Sequence, residues 1–584
     1  MKRNQYTSIS GRAQGLGLRS VMKASLGLLL MGTLGSCSDL LDTDSELVEF
    51  VEDNRLNTPE DSVYSVMGII SKMQVIADRT LLLGELRGDL LVPTANAGAD
   101  LKAISSLTIG ADNPYNNISD YYAIINNCNY FLATADTTLK KRNRSVFERE
   151  YVAVKAYRAW TYFEAAKVYG SIPLVTTPVL TESEARAAMN QAPVDMKALC
   201  DYFVNDLTPY VDTDLPAYGV INSQNSKKFF IPVRVLLGDL CLWGGRYQEA
   251  AQFYHDYLTK VGEEVTTGTN RVAWNSRTTD FKSVSNGYTN AVTSSGGSEV
   301  ITYIPMESTV FDGVKSNLPD YFNSINANNY YFQVEPSKRI KQLSAAEDYC
   351  MEYVASDTRR DTLFAPKDNL LESYQEGDLR LYANYQHQVV NQQAYSRYSS
   401  DRQTLRKLNA DGVTLYRVSE VYLHFAEALN RAGYPQSALA VLKYGLYPEM
   451  ITTRIDSVER DAAGSLLDFS QTVFTRNNTQ GIHSRGCGDS PANNRYVLPQ
   501  PATRLESRAD TVDYQIPLVE DMIVRELALE TAFEGRRFYD LMRVALRRND
   551  PAYLANPISI RNGERDENIY QKLSNTANWY LPKE

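Results

Sequence analysis

Two stretches of this chain share one register, and that register restricts the fold more than any other feature of the sequence. In the first, Leu237-Gly238-Asp239-Leu240-Cys241 is followed by Ala250 and then Tyr254. In the second, Phe425-Ala426-Glu427-Ala428-Leu429 is followed by Ala438 and then Leu442. In both, a small residue precedes an alanine by twelve positions, and a bulky residue follows that alanine by four. Gly244-Gly245 and Gly433-Tyr434-Pro435 lie between as turns. The small residue lets two helices cross closely, and the bulky one fills the seam. A helical hairpin of this kind cannot bury its apolar face alone, so such units stack.

Other helices are legible from periodicity. Thr58-Pro59-Glu60-Asp61 is a helix start, with Thr58 as cap, Pro59 at the first helical position and Asp61 closing a capping box. Val63, Val66, Met67 and Ile70 then share a face. The pattern predicts further helices over 118–133, over 147–169 (stopped by Gly170 and Pro173) and over 194–207. Residues 265–337, rich in Ser, Thr, Asn, Gly and Tyr, and residues 450–513 read as ordered irregular structure, and loops this long usually carry function. The hairpin register is the tetratricopeptide spacing. The expected fold is mainly α, with tetratricopeptide-like helical hairpins supporting an irregular, loop-rich ligand-binding region.

The N-terminus reads as a targeting segment, residues 1–36. Lys2, Arg3, Arg12, Arg19 and Lys23 form a basic leader, and Ala24 to Leu34 is a short apolar core. The end, Leu34-Gly35-Ser36-Cys37, resembles the lipobox of bacterial lipoproteins. That resemblance implies cleavage before Cys37, acylation of Cys37, and attachment of one large unit, 37–584, to a membrane through lipid. The leader holds five of the 60 basic residues and none of the 70 acidic ones, so cleavage leaves 55 against 70, a net charge of −15. Nucleic acid, which needs a basic field, is not an expected partner.

Little in the sequence points to catalysis or metal. After Cys37, the remaining cysteines (Cys128, Cys200, Cys241, Cys350 and Cys487) are far apart and show no CxxC pairing, so no disulfide framework, metal or cofactor is expected. Glu420, His424 and Glu427 lie on one helix, but di-metal bundles need a second Glu-x-x-His copy, which is missing. No nucleophile elbow, H-E-x-x-H or phosphate loop appears. The basic run Arg536, Arg537, Arg543, Arg547 and Arg548 is expected to pair with neighbouring helices.

Three segments resemble hallmarks of the SusD/RagB family. They are Ala156-Tyr157-Arg158-Ala159-Trp160-Thr161-Tyr162-Phe163 closing with Val168-Tyr169-Gly170-Ser171-Ile172-Pro173-Leu174; Leu415-Tyr416-Arg417-Val418-Ser419-Glu420-Val421-Tyr422-Leu423 running on to Ala426-Glu427-Ala428; and Val524-Arg525-Glu526-Leu527-Ala528-Leu529-Glu530 followed by Phe533-Glu534-Gly535-Arg536-Arg537-Phe538-Tyr539-Asp540-Leu541. Ser419 replaces a usual alanine, and Thr531-Ala532 interrupts the third motif. The acidic residues after Cys37, from Asp39 to Asp53, resemble the surface-export signals of lipoproteins in bacteria that carry this family. The resemblance implies a non-enzymatic outer-membrane lipoprotein facing the cell exterior. Such a protein binds a nutrient, mostly an oligosaccharide, and delivers it to a SusC-type TonB-dependent transporter. Peptide capture and a helical-repeat adaptor that binds only protein are the alternatives. The motif Arg and Glu residues are expected to form structural ion pairs. Ligand contacts are expected from loop aromatics Trp274, Tyr288, Tyr330 and Tyr331, whose rings stack on sugar faces, with Arg87, Asp89 and Asn96 as polar partners.

Overall fold

The computed structural model describes residues 59–141, 143–221, 224–260, 265–267, 287–293, 296–308, 312–322, 332–347, 350–356, 359–364, 377–389, 401–408, 412–487 and 496–583. The N-terminal part holds α1 (Pro59–Glu85), α2 (Ala99–Ser105), α3 (Ser119–Thr134) and α4 (Glu148–Tyr169). Next come α5 (Glu182–Met189), α6 (Met196–Leu207), α7 (Val233–Trp243) and α8 (Tyr247–Thr259). A more irregular stretch carries α9 (Gly287–Thr293), α10 (Leu318–Phe322), α11 (Lys338–Ala345) and α12 (Leu379–Asn384). The C-terminal part has α13 (Val418–Arg431), α14 (Pro435–Leu439), α15 (Pro448–Arg454), α16 (Ser457–Ala463) and α17 (Ser484–Cys487). It ends with α18 (Arg508–Glu530), α19 (Arg537–Arg548), α20 (Pro551–Ser559) and α21 (Glu567–Leu573). Strands form only two-stranded antiparallel pairs among the described residues.

The expected mainly α fold is what the chain adopts. Helix α3 packs on α4, α4 on α6, α6 on α7, α7 on α8, α8 on α13, and α13 on α14 and α18. This is the stacking that the shared register predicts. A Cβ on Gly238 would lie 2.3 Å from Tyr254 Cε1, so α7 and α8 cross at that glycine. Ala250, Ala426 and Ala438 have no exposed surface. Helix α4 is buried on every side from Val152 to Tyr169, its charged residues included, because Lys155 and Arg158 pair with Asp206 and Lys167 with Glu164. One hydrophobic core runs from Val66 to Leu581.

Some boundaries differ from the sequence reading. Thr58 lies outside the described residues. Helix α6 begins at Met196, because Asp195 accepts from Ala198 N at 2.8 Å, while Pro193–Val194 pairs with Ile172–Pro173. The stretch 450–513 is less irregular than expected: α16 is a short helix capped by Asp456, which accepts from Glu459 N at 2.9 Å.

Candidate functional site

Buried charge frames the site. Glu530, with no exposed surface, accepts from Arg380 Nη1 and Arg417 Nη1, each at 2.7 Å, and lies 3.3 Å from Arg485 Nη1. Glu534 pairs with Arg417 at 2.6 Å and Lys407 at 2.5 Å. The C-terminal arginines divide in the same way: Arg536 pairs with Glu420, Arg537 with Asp89, Arg543 and Arg547 with Glu427, and Arg548 with Glu520. His424 Nδ1 lies 2.9 Å from Asp239 Oδ1. Glu420, His424 and Glu427 therefore each serve a different partner. The motif residues fix the fold, as their ion-pair reading expects. Burial opposes charge on the Glu534 carboxyl, yet Arg417 and Lys407 beside it hold it below its usual range.

The same frame absorbs three of the residues expected to touch ligand. Arg87 is 1% exposed; it donates to Leu83 O at 2.8 Å and Trp579 O at 2.9 Å, and it stacks 4.1 Å from the Phe538 ring centroid. Asp89 has no exposed surface and accepts from Arg537 Nε at 2.6 Å and Nη2 at 3.0 Å. Tyr288 is fully buried against Glu530. These three are corrected to internal supports, because no face of them reaches solvent. Trp274, Tyr330 and Tyr331 lie outside the described residues.

Asp89 helps to hold the chain that leads to the Asn96 turn, its carbonyl accepting from Ser337 Oγ at 2.5 Å. Arg561 caps Leu86 O at 3.1 Å and Gly88 O at 3.0 Å, and Ser337 N donates to Leu90 O at 2.8 Å. Leu91–Pro93 then pairs antiparallel with Val334–Pro336. Beyond this pairing, Thr94 N donates to Gln333 O at 2.8 Å, and Gly98 N donates to Gln333 Oε1 at 2.8 Å. Asn96, which is exposed, is held by its own N–H donating to Thr94 Oγ1 at 3.1 Å. Thr94 Oγ1 donates to Phe332 O at 2.8 Å, so the Asn96 turn is fastened to the residue directly after Tyr331.

Sequence reasoning missed two tyrosines in this region. Tyr115 OH and Tyr321 OH are 3.0 Å apart, and both residues are half-buried. Tyr321 O accepts from Gln333 N at 2.6 Å, which ties it to the same strand pair. Tyr115 is set by its N–H donating to Asn113 Oδ1 at 3.0 Å, and Asn113 Nδ2 donates to Asp100 O at 3.2 Å. Burial, then the bond to Tyr321, pushes the Tyr115 phenol up, so it stays neutral and able both to donate and to accept. The sequence signal was the turn-forming run Asp112-Asn113-Pro114 just before Tyr115. The exposed Asn96 carboxamide and the half-buried tyrosine pair, on segments that Gln333 joins, are group types that suit a polyhydroxylated ligand with apolar C–H faces. A separate cavity of about 600 Å³ is lined by Arg339, Tyr496, Arg525, Arg537 and Tyr553. Two of its arginines are tied inward, Arg525 to Glu347 and Arg537 to Asp89.

Solved structures share this architecture. A SusD superfamily protein from Bacteroides vulgatus superposes with a TM-score of 0.53 at 13% identity, over 88% of this chain and 92% of that one. A SusD-like carbohydrate binding protein from Bacteroides fragilis gives 0.52 at 15% identity, over 84% and 87%. A SusD superfamily protein from Bacteroides thetaiotaomicron gives 0.51 at 15% identity, over 89% and 97%. No family model and no curated protein matches the chain. At these identities the likeness is one of fold, and it agrees with the order of the three helical motifs: the protein has the SusD fold.

Proposed function

We propose that the protein captures an oligosaccharide at the cell surface on the face formed by the Asn96 turn, Tyr115 and Tyr321, and passes it to a SusC-type TonB-dependent transporter without chemical change. The observation that carries this reading is the joining of the Asn96 turn to Tyr321 and Phe332 through Thr94 and Gln333. Tyr330 and Tyr331 are the adjoining aromatics proposed to stack on sugar, with Trp274 as a further one. Lipidation of Cys37 would hold the chain, 37–584, at the outer membrane. Among the described residues no helix is long and apolar enough to cross a membrane.

A glycan array with a peptide panel identifies the ligand class, and calorimetric titration then measures each variant. Asn96→Ala and Tyr321→Ala are expected to weaken binding at least about tenfold, the effect of removing one anchor worth roughly 1.4 kcal/mol or more. Thermal stability should change little for Asn96→Ala, since its side chain is exposed. Binding to peptides alone, or silence of both variants with a glycan bound, sinks the proposal. Labelled palmitate incorporated into wild type and lost in Cys37→Ala tests the anchor.

A further inference from the structure

A second cluster lies apart from that face. Glu347 follows α11, His483 and Cys487 lie one turn apart at α17, and Glu526 belongs to α18. All are buried: Glu347 and Cys487 are 1% exposed, and His483 and Glu526 are 0% exposed. One ligand-type atom from each of Glu347, His483 and Cys487 lies within 4.8 Å of the other two. His483 Nε2 is 3.3 Å from Glu347 Oε2 and 3.4 Å from Cys487 Sγ.

The far side of the imidazole sets its state. His483 Nδ1 is 2.6 Å from Glu526 Oε2, which also accepts from Tyr496 OH at 2.8 Å. A carboxylate at Nδ1 favours a proton there and leaves Nε2 facing Glu347 and Cys487; this is the outer shell that metal-ligating histidines carry. Glu347 is oriented in turn by Arg525, whose Nη2 donates to Oε1 at 2.6 Å, so that Oε2 faces the imidazole. A lone pair facing a carboxylate is repulsive, so the point where Nε2, Oε2 and Sγ meet requires a cation. That cation is a proton or a metal ion. Asp378 Oδ2 lies at the edge, 3.8 Å from Cys487 Sγ, and is paired with Arg380 Nη2 at 2.6 Å. Arg525 and Tyr496 line the cavity of about 600 Å³, and the Arg525 side chain is 25% exposed, so a route in from solvent lies one residue away.

We infer that Glu347, His483 and Cys487 form a binding site for a borderline-soft divalent cation, zinc, which pins α17 to α18 and to the end of α11. One thiolate, one imidazole nitrogen and one carboxylate oxygen are a zinc donor set, with water completing four-coordination. Binding displaces the thiol proton of Cys487 and any proton on Nε2; these leave to solvent, and the dication then faces the Cys487 and Glu347 anions. Thiolate and imidazole ligands must be deprotonated to bind, so protons compete with the metal and the site empties in acid. The competing arrangement is a protonated His483 bridging Glu347 and Glu526 with no metal.

The test uses the full chain without a polyhistidine tag, stripped with a chelator and titrated with zinc ion by calorimetry, with cobalt(II) as the optical probe. One zinc ion per chain and a thiolate-to-cobalt charge-transfer band are expected. Cys487→Ser should abolish the band, and Glu526→Gln should weaken zinc binding by about 10–100-fold, the usual cost of losing such an outer-shell partner. Wild-type protein that takes up no stoichiometric zinc, or cobalt bound without a thiolate band, overturns the inference. So does a folded Cys487→Ser variant that binds zinc like wild type. If the variants fail to fold, the wild-type stoichiometry and the cobalt band decide the matter alone.

Discussion

Arg417 reaches Glu530 Oε1 at 2.7 Å, Glu530 O at 2.5 Å and Glu534 Oε2 at 2.6 Å, and it has no exposed surface. Its removal leaves two carboxylates short of a partner where water cannot replace it. Arg417→Ala is expected to lower stability by about 3–5 kcal/mol, the cost of breaking a buried ion pair from one side. Urea denaturation measures this, and a change within about 0.5 kcal/mol, typical of a surface site, would refute the network's structural role. The motifs made it legible that such residues pair, but not with whom. Arg380, Lys407 and Arg485 converge on the same carboxylates from segments with no motif. Asp89 was misread for the same reason: its partner Arg537 lies 448 positions away, and only the tertiary fold decides that this Arg-Gly-Asp stretch turns inward. Asn96 was legible as a loop residue because a turn's polar side chain needs no distant partner to stay at the surface.

At the scale of elements, the hairpin register was readable because it reflects local packing between helices adjacent in sequence. Gly238 faces the Tyr254 ring, and Tyr254 cannot swing aside freely, since its hydroxyl donates to Asp239 Oδ1 at 2.5 Å. Gly238→Ala is therefore expected to overpack the crossing and cost about 1–3 kcal/mol, despite alanine's better helix propensity. Thermal melts decide this: a rise in melting temperature would mean that propensity wins and the crossing relaxes. The short helices were not readable. Helix α16, Ser457–Ala463, spans two turns, too few for a 3.6-residue period to stand out. Tyr321 escaped notice likewise, because it sits on the five-residue helix α10 and gains its neighbour Tyr115 only through tertiary packing.

For the whole molecule, so much buried charge couples the fold to pH in two opposed directions. Glu427, held down by Arg543 and Arg547 against burial, and Glu534, held down by Arg417 and Lys407, have folded pKa values below the ordinary 4.5. Their contribution is present above pH 4.5 and is lost as pH falls below it, because the unfolded chain takes up those protons first. Glu85 works the other way. Burial raises it from 4.5 to about 7, against hydrogen bonds accepted from Phe533 N at 2.8 Å and Gly535 N at 3.0 Å. The folded protein holds this proton when the unfolded chain has released it, so its contribution is full below pH 4.5 and declines as pH rises to about 7. Stability is therefore expected to peak on the acid side of neutrality, between pH 4.5 and 7, with a steep acid arm and a shallower neutral one. Glu85→Gln removes the titration but loses one accepted bond, because Phe533 N and Gly535 N donate to different oxygens and glutamine keeps only one; it should lower stability overall and flatten the decline between pH 5 and 8 while leaving the acid arm in place. Urea midpoints measured across pH 3–9 for wild type and Glu85→Gln test this. An unchanged neutral slope in the variant would show that Glu85 is charged in the folded protein, and that the junction of α1 with the Phe533–Gly535 turn is held by an ionised carboxylate after all.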